Sequence, residues 1–168
     1  CFLKTDAGKL QEFAGSTAGK VVVASSEPDI GAPQPLTFTG AFDTDALNYR
    51  NNLTTNAPKN WPRTIEETIL EADTAMQTGD PRSGYTSYGI AVSLSPDESA
   101  LWTKLSVAAL ATPPKENEAF VLQQAATSAA LNAYLTSRAT NSRADALVAL
   151  AQALDKRGEG RPAINAYK

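Results

Sequence analysis

The chain has 168 residues, 42% of them hydrophobic, and a formal net charge of −3. This length suits one domain, or one domain with a fragment of another. No apolar run approaches the roughly 18 residues of a membrane span, and no dense cluster of lysine and arginine could track phosphates, so we expect neither a membrane span nor nucleic-acid binding.

Histidine is absent, which excludes a Ser-His-Asp triad, a Cys-His pair and imidazole metal ligands. The single cysteine, Cys1, excludes a thiolate zinc site and any disulfide within the chain. No other residues have a spacing typical of catalysis. We therefore predict a protein that is not an enzyme and holds no catalytic residue, cofactor or metal.

The first forty residues are rich in glycine and proline. Lys20–Ala24 is a β-branched run that predicts a strand, and Cys1–Lys4 predicts the end of another. Ser25–Pro35 has the composition of a linker. Because this part is too short to bury a core, we divide the chain into a strand and linker segment, 1–40, and a helical domain, 41–168.

Helical signals begin after Phe42. Asp43–Leu53 predicts a short helix that ends before the break at Ala57–Pro62. Thr64 and Glu67 form a capping box for a second helix, because the hydroxyl and the carboxylate can each accept a backbone N–H of the first turn.

This second helix runs to Gly79. Asp80 and Pro81 then predict the start of a third, with Asp80 as the cap and Pro81 where no N–H is needed. It stops before Ser95-Pro96, and Ser95 with Glu98 predicts the cap of the following helix, which ends at Pro113-Pro114.

The remaining helices follow from the same signals. Asn117–Arg138 predicts one long, alanine-rich helix. Ser142 with Asp145 predicts the start of another that ends near Gly158, and a last, short helix is predicted from Pro162 onward.

An internal repeat connects the middle of the chain to its end. The set Thr68, Glu71, Ala72, Ala75, Gly79, Gly84 and Tyr88 recurs 79 positions later as Leu147, Leu150, Ala151, Leu154, Gly158, Ala163 and Tyr167. Gly79 and Gly158 suit a turn with positive φ, whereas Gly84 and Ala163 allow two helices to cross closely. Such self-similarity indicates stacked helix-turn-helix units.

This pattern resembles the tetratricopeptide repeat, whose period is 34 residues. The resemblance is carried by Ala72, Gly79, Gly84, Tyr88, Ala91 and Pro96 in one repeat, by Trp102 and Leu105 in the next, and by Leu147 to Tyr167 in the third. It implies a mostly α fold, a short α-solenoid of helix-turn-helix repeats. The offset exceeds two periods by 11 residues, which we assign to the second repeat, around Pro113–Asn117 and the long helix.

The resemblance also implies a concave wall, lined by the first helix of each pair, that binds protein. Trp102 is predicted to be a core residue. The candidates on the wall are Glu66, Asp73, Gln77, Thr103, Lys104, Gln152 and Asp155. Tetratricopeptide domains that bind chaperone tails clamp carboxylates with several basic residues, whereas Lys104 is nearly alone here. We therefore predict a protein partner that is not a chaperone tail.

Cys1–Gly8 resembles the tail of a PAN/Apple domain, which in bacterial proteins similar to alpha-2-macroglobulin can precede a helical-repeat segment. This implies a piece of a larger periplasmic or extracellular protein, truncated within its last repeat, with Cys1 paired to an upstream cysteine. An acylated Cys1 and a free thiol in the cytosol remain open. The alternative function is a tetratricopeptide scaffold of cell-envelope assembly.

Overall fold

The computed structural model describes residues 2–4, 10–12, 28–37 and 39–166. In this part of the chain a hairpin of β1 (Phe2–Lys4) and β2 (Leu10–Glu12) precedes seven helices. These are α1 (Gly40–Thr55), α2 (Ile65–Gln77), α3 (Pro81–Leu94), α4 (Ser99–Ala111), α5 (Ala119–Thr136), α6 (Thr140–Lys156) and α7 (Gly160–Ala166). The prediction of a mostly α fold is confirmed. Cys1, the strand predicted at Lys20–Ala24 and Tyr167 lie outside the described residues.

The helices form three successive pairs, α2 with α3, α4 with α5, and α6 with α7. Each pair stacks on the next, because α3 packs against α4 and α5 packs against α6. The first helices of the second and third pairs, α4 and α6, also contact each other. The result is the predicted short α-solenoid of helix-turn-helix repeats.

The helix α1 is longer than the predicted Asp43–Leu53 and spans 16 residues. It packs against α3 and α5, the second helices of the first two pairs. Its Phe42 and Ala46 are buried, and the buried amide of Asn132 donates a hydrogen bond to the carbonyl of Ala46 at 2.8 Å. Apolar burial and a satisfied polar contact thus hold α1 across two repeats.

The turns inside the pairs confirm the roles assigned to glycine. Gly79 has φ of 80° and Gly158 has φ of 83°, a conformation that a residue with a Cβ adopts only at a cost. A Cβ placed on Gly84 would lie 2.7 Å from the Sδ of Met76 in α2. Gly84 is therefore small because α2 and α3 cross there, and Tyr88 is buried beside it.

Two of the four predicted helix caps are confirmed. The Thr64 hydroxyl accepts the N–H of Glu67 at 3.1 Å, and the Glu67 carboxylate accepts the N–H of Thr64 at 2.8 Å. The Asp80 carboxylate accepts the N–H of Ser83 at 3.2 Å. Both caps satisfy N–H groups that have no partner within the helix.

The predicted cap at Ser95 is wrong. Ser95 instead ends α3, with its N–H donating to the carbonyl of Ala91 at 2.9 Å. Its own carbonyl then accepts the N–H of Glu98 in a turn through Pro96, so α4 starts only at Ser99. Ser95 is thus the C-cap of α3 and lies four residues before the start of α4, too far to cap it.

The predicted start of α6 at Ser142 is also wrong, because the helix begins earlier, at Thr140. Ser142 lies in its first turn. The Ser142 hydroxyl accepts the N–H of Ala139 at 3.3 Å and donates to the carbonyl of Ala139 at 2.9 Å. Ser142, within the first turn, thus bonds the backbone of Ala139, whose own side chain cannot cap the helix.

The 11 residues by which the repeat offset exceeds two periods are divided between the second and the third repeat. The second helix α5 has 18 residues where α3 has 14, and the first helix α6 has 17 where α2 has 13. Assigning all of them to the second repeat was therefore wrong. The longer α6 extends the surface that faces α4.

Alanine lines the helix at the centre of the core, α5, at positions 125, 126, 129, 130 and 133, all of them buried. Small side chains let neighbouring backbones approach closely, so that two serines of α4 can donate hydrogen bonds to carbonyls of α5. The Ser99 hydroxyl donates to the carbonyl of Ala133 at 2.7 Å, and the Ser106 hydroxyl to that of Ala126 at 2.9 Å. Among the described residues every fully buried side-chain polar atom has a hydrogen-bond partner.

The segment before α1 lies against the junction of α5 and α6. The N–H of Ile30 donates to the carbonyl of Arg138 at 2.8 Å, and the Arg143 guanidinium donates to the carbonyl of Gly31 at 2.6 Å. The Tyr134 hydroxyl donates to the carbonyl of Gln34 at 2.8 Å. The described part of the predicted linker is thus fixed to the helical domain.

An ion pair joins the start of α3 to the start of α5. The Arg82 guanidinium donates to both carboxylate oxygens of Glu118, at 2.9 and 2.7 Å. These bonds, together with the backbone N–H of Lys115, lower the pKa of Glu118 to about 2. The bidentate geometry favours the ionised carboxylate in the folded protein.

We expect this pair to stabilise the fold in a pH-dependent way. Because the folded-state pKa of Glu118 is depressed, its contribution is complete above the ordinary value of 4.5 and is lost as the pH falls toward about 2. The free energies of unfolding of the wild type and Glu118→Gln should therefore differ above pH 5 and converge below it. Urea titrations across this range measure the difference. Glu116→Gln is the matched control, and its free energy of unfolding should differ from that of the wild type by the same small amount at every pH.

Candidate binding groove

The helices α4 and α6 lie side by side and leave an open groove between their solvent-facing sides. We call this surface the α4/α6 groove. It consists of two depressions, one at the start of both helices and one near their ends. The residues that line it include Glu98, Thr103, Lys104, Val107, Leu110, Arg138, Asp145, Gln152, Asp155 and Lys156.

The first depression has a volume of about 680 Å³ and is rich in charge. Three carboxylates line it, those of Asp97, Glu98 and Asp145, together with two cations, Lys104 and Arg138. Asp97 is already paired, because the Arg50 guanidinium lies 2.6 Å from its carboxylate.

Lys104 is paired as well, across the boundary between the first two repeats. Its Nζ lies 2.7 and 2.9 Å from the two carboxylate oxygens of Asp73 in α2. The Tyr88 hydroxyl also donates to Asp73, and the Lys104 ammonium lies 5.7 Å from the centre of the Tyr88 ring. The cation expected to recognise a ligand thus serves mainly to connect α2, α3 and α4.

The same contacts change the pKa values of Asp73 and Tyr88. Burial opposes ionisation of Asp73, but the hydrogen bonds from Lys104 and Tyr88 and the charge of Lys104 outweigh it and lower the Asp73 pKa. Burial and the adjacent carboxylate raise the pKa of Tyr88. Asp73 therefore stays ionised and Tyr88 stays protonated at neutral pH.

The second depression, of about 350 Å³, is lined by both aliphatic and polar residues. Val107, Leu110 and Ala111 of α4 face Gln152, Asp155 and Lys156 of α6 across it. Val107 is 42% exposed, and Val148, on the same face of α6 by helical spacing, is 46% exposed. Aliphatic side chains are thus open to solvent along a polar groove.

The structure brings together four of the seven candidate residues in this groove: Thr103, Lys104, Gln152 and Asp155. Asp73 reaches it indirectly, through Lys104. Glu66 and Gln77 lie in the first turn and at the last position of α2, and both are exposed away from the α4/α6 groove.

Sequence reasoning missed five charged residues of the groove: Asp97, Glu98, Arg138, Asp145 and Lys156. Asp145 could have been found, because Asp145, Val148, Gln152 and Asp155 follow one another at spacings of three and four and so share a face. It was assigned to a helix cap instead. Glu98 and Arg138 lie at helix boundaries, where the pattern of one helix does not predict which neighbour it faces.

The two tryptophans have structural contacts. Trp102 is fully buried, as predicted, and its Nε1 donates to the carbonyl of Pro96 at 2.8 Å. At the equivalent position of the first repeat stands Thr68, whose buried hydroxyl accepts the Nε1 of Trp61 at 2.8 Å. An indole from outside the repeat thus contacts the position that lacks its own tryptophan.

The groove presents charged and aliphatic side chains but no arrangement of an activated nucleophile with a base. Within residues 28–37 and 39–166 and the two short strands, no three acidic or cysteine side chains converge as metal ligands. Across the same part of the chain, no helix has the length and hydropathy to span a membrane. No protein-family model matches the sequence, and no curated protein matches it.

Proposed function

We propose that this protein is a non-catalytic interaction module of helical repeats that binds an extended segment of another polypeptide in the α4/α6 groove. One observation carries the proposal, namely that Val107 lies 42% exposed among the polar side chains that line the groove between the first helices of two repeats. Isolated exposed aliphatic residues are common on surfaces, but Val107 lines a concave site.

The shape of the groove supports an extended ligand. The helix α4 has 13 residues and is therefore about 20 Å long. An extended chain advances about 3.3 Å per residue, so roughly six residues would span the groove. Ion pairs and backbone hydrogen bonds already hold its walls, which reduces the entropy lost on binding.

Selection from a random eight-residue peptide library on the full chain tests this function. We expect enriched peptides whose binding shifts the backbone amide signals of α4 and α6 in the ¹⁵N-labelled protein. Val107→Arg should weaken their binding by at least tenfold, because a cation replaces an aliphatic contact in the groove. Amide shifts confined to another face, or no enriched peptide, would overturn the proposal.

The matched control is Leu70→Arg. Leu70 is 66% exposed on α2, away from the groove, so the same substitution there should leave peptide affinity unchanged. Equal losses in the two variants would indicate a general effect of charge and not a site.

We further propose that the module belongs to a larger periplasmic or extracellular protein similar to bacterial alpha-2-macroglobulin. The support is the resemblance of Cys1–Gly8 to the tail of a PAN/Apple domain, followed by helical repeats. Mass spectrometry of the native protein, with and without reductant, tests this assignment. A Cys1 that remains a free thiol in the cytosol would contradict it.

A further inference from the structure

The ion pairs within the first depression leave its charges unbalanced. Asp97 is paired with Arg50, and Lys104 is paired with Asp73. Among the described residues no ion pair joins the remaining charged side chains that line it, Glu98, Asp145 and Arg138, to another group. The depression therefore has two available carboxylates and one available guanidinium.

The carboxylates and the aliphatic residues lie at different positions along the groove. Val107 follows Glu98 by nine residues, a separation of about 13 Å along α4. An extended peptide covers 13 Å in about four residues.

From this charge distribution we infer that the α4/α6 groove selects segments with a lysine or arginine three to four residues from an aliphatic side chain. The basic group would bind at the carboxylates of Glu98 and Asp145 in the first depression, and the aliphatic group would cover Val107 in the second. This is the opposite of a carboxylate clamp, because the lysine suited to that role is neutralised by Asp73. The inference rests on the proposed function and specifies the chemistry of its ligand.

The same random library, selected in parallel on the wild type and on Glu98→Gln/Asp145→Asn, tests the inference. Peptides from the wild type should be enriched in the basic and aliphatic pair at this spacing, whereas those from the double variant should keep only the aliphatic residue. For one synthetic wild-type peptide, the double variant should raise the Kd by about three- to tenfold, since each exposed charge pair contributes up to about fivefold. The difference should shrink at high salt.

A double variant with Glu116→Gln and Glu159→Gln, which removes one exposed and one half-buried carboxylate outside the groove, is the matched control and should preserve the basic preference. Peptides that shift α4 and α6 signals but lack a basic residue would overturn the inference and leave the proposed function standing. An unchanged basic preference in Glu98→Gln/Asp145→Asn would also overturn it. Absence of any groove-binding peptide would overturn both.

Discussion

Gly84→Leu is expected to lower the free energy of unfolding by about 3 kcal/mol or more, because overpacking a close helix crossing forces side chains and backbone apart. Even the first added carbon would lie 2.7 Å from Sδ and 2.9 Å from Cγ of Met76. Met76 can move in part, but the carbonyl of Ala72 is already in van der Waals contact with that first carbon at 3.4 Å and, as backbone of α2, cannot make room for the rest of the leucine. Urea unfolding followed by circular dichroism measures the loss.

Gly89 provides the control on the same helix, since a Cβ there would meet no atom within 4 Å. Gly89→Ala should stabilise the protein by up to about 1 kcal/mol through helix propensity alone. Gly84→Ala gains the same propensity but meets Met76, so it should be less stable than Gly89→Ala. Equal stabilities of the two alanine variants would show that α2 and α3 do not constrain position 84.

Trp102→Ala should lower the free energy of unfolding by about 3 to 5 kcal/mol, the usual cost of deleting a large buried aromatic side chain. Trp102 is fully buried, and its ring centre lies 6.3 Å from that of Tyr49 in α1. Removing the indole would open a cavity between α4 and α1 and leave the carbonyl of Pro96 without its donor. Thermal and urea unfolding of the variant measure this loss.

The other tryptophan serves as the comparison. Trp61 is only partly buried, so Trp61→Ala should cost roughly 1 kcal/mol, and Thr68 would keep its bond to the carbonyl of Thr64. If the two alanine variants lost equal stability, Trp102 would not be the core residue of its repeat. A large loss of peptide binding by folded Trp102→Phe would instead support a recognition role.

The helices could largely be predicted because their signals are local. The capping box at Thr64, the proline at position 81 and the glycines at positions 79 and 158 each act within a few residues of themselves. Predictions failed where one residue had two candidate roles. Ser95 could start one helix or end another, and only the path of the chain around Pro96 decides between them.

The groove was predicted only in part, for a related reason. Helical spacing predicts the face that carries Thr103, Lys104, Gln152 and Asp155. It does not predict that Asp73 neutralises Lys104, because that contact joins two helices of different repeats. Nor does helical spacing predict that α1 lies across α3 and α5. No residue pattern between α1 and α2 indicates the direction in which α1 packs.

The position of α1 affects how the protein should unfold. In a purely linear array each repeat contacts only its neighbours, so end repeats can open one at a time. Here α1 bonds α5 through Asn132 and contacts α3 as well, so the first two repeats share one element. Separating them would also detach α1 and expose Phe42 and Ala46. This shared helix should make the first two repeats a single cooperative unit, so that partial opening starts at the α6 and α7 end.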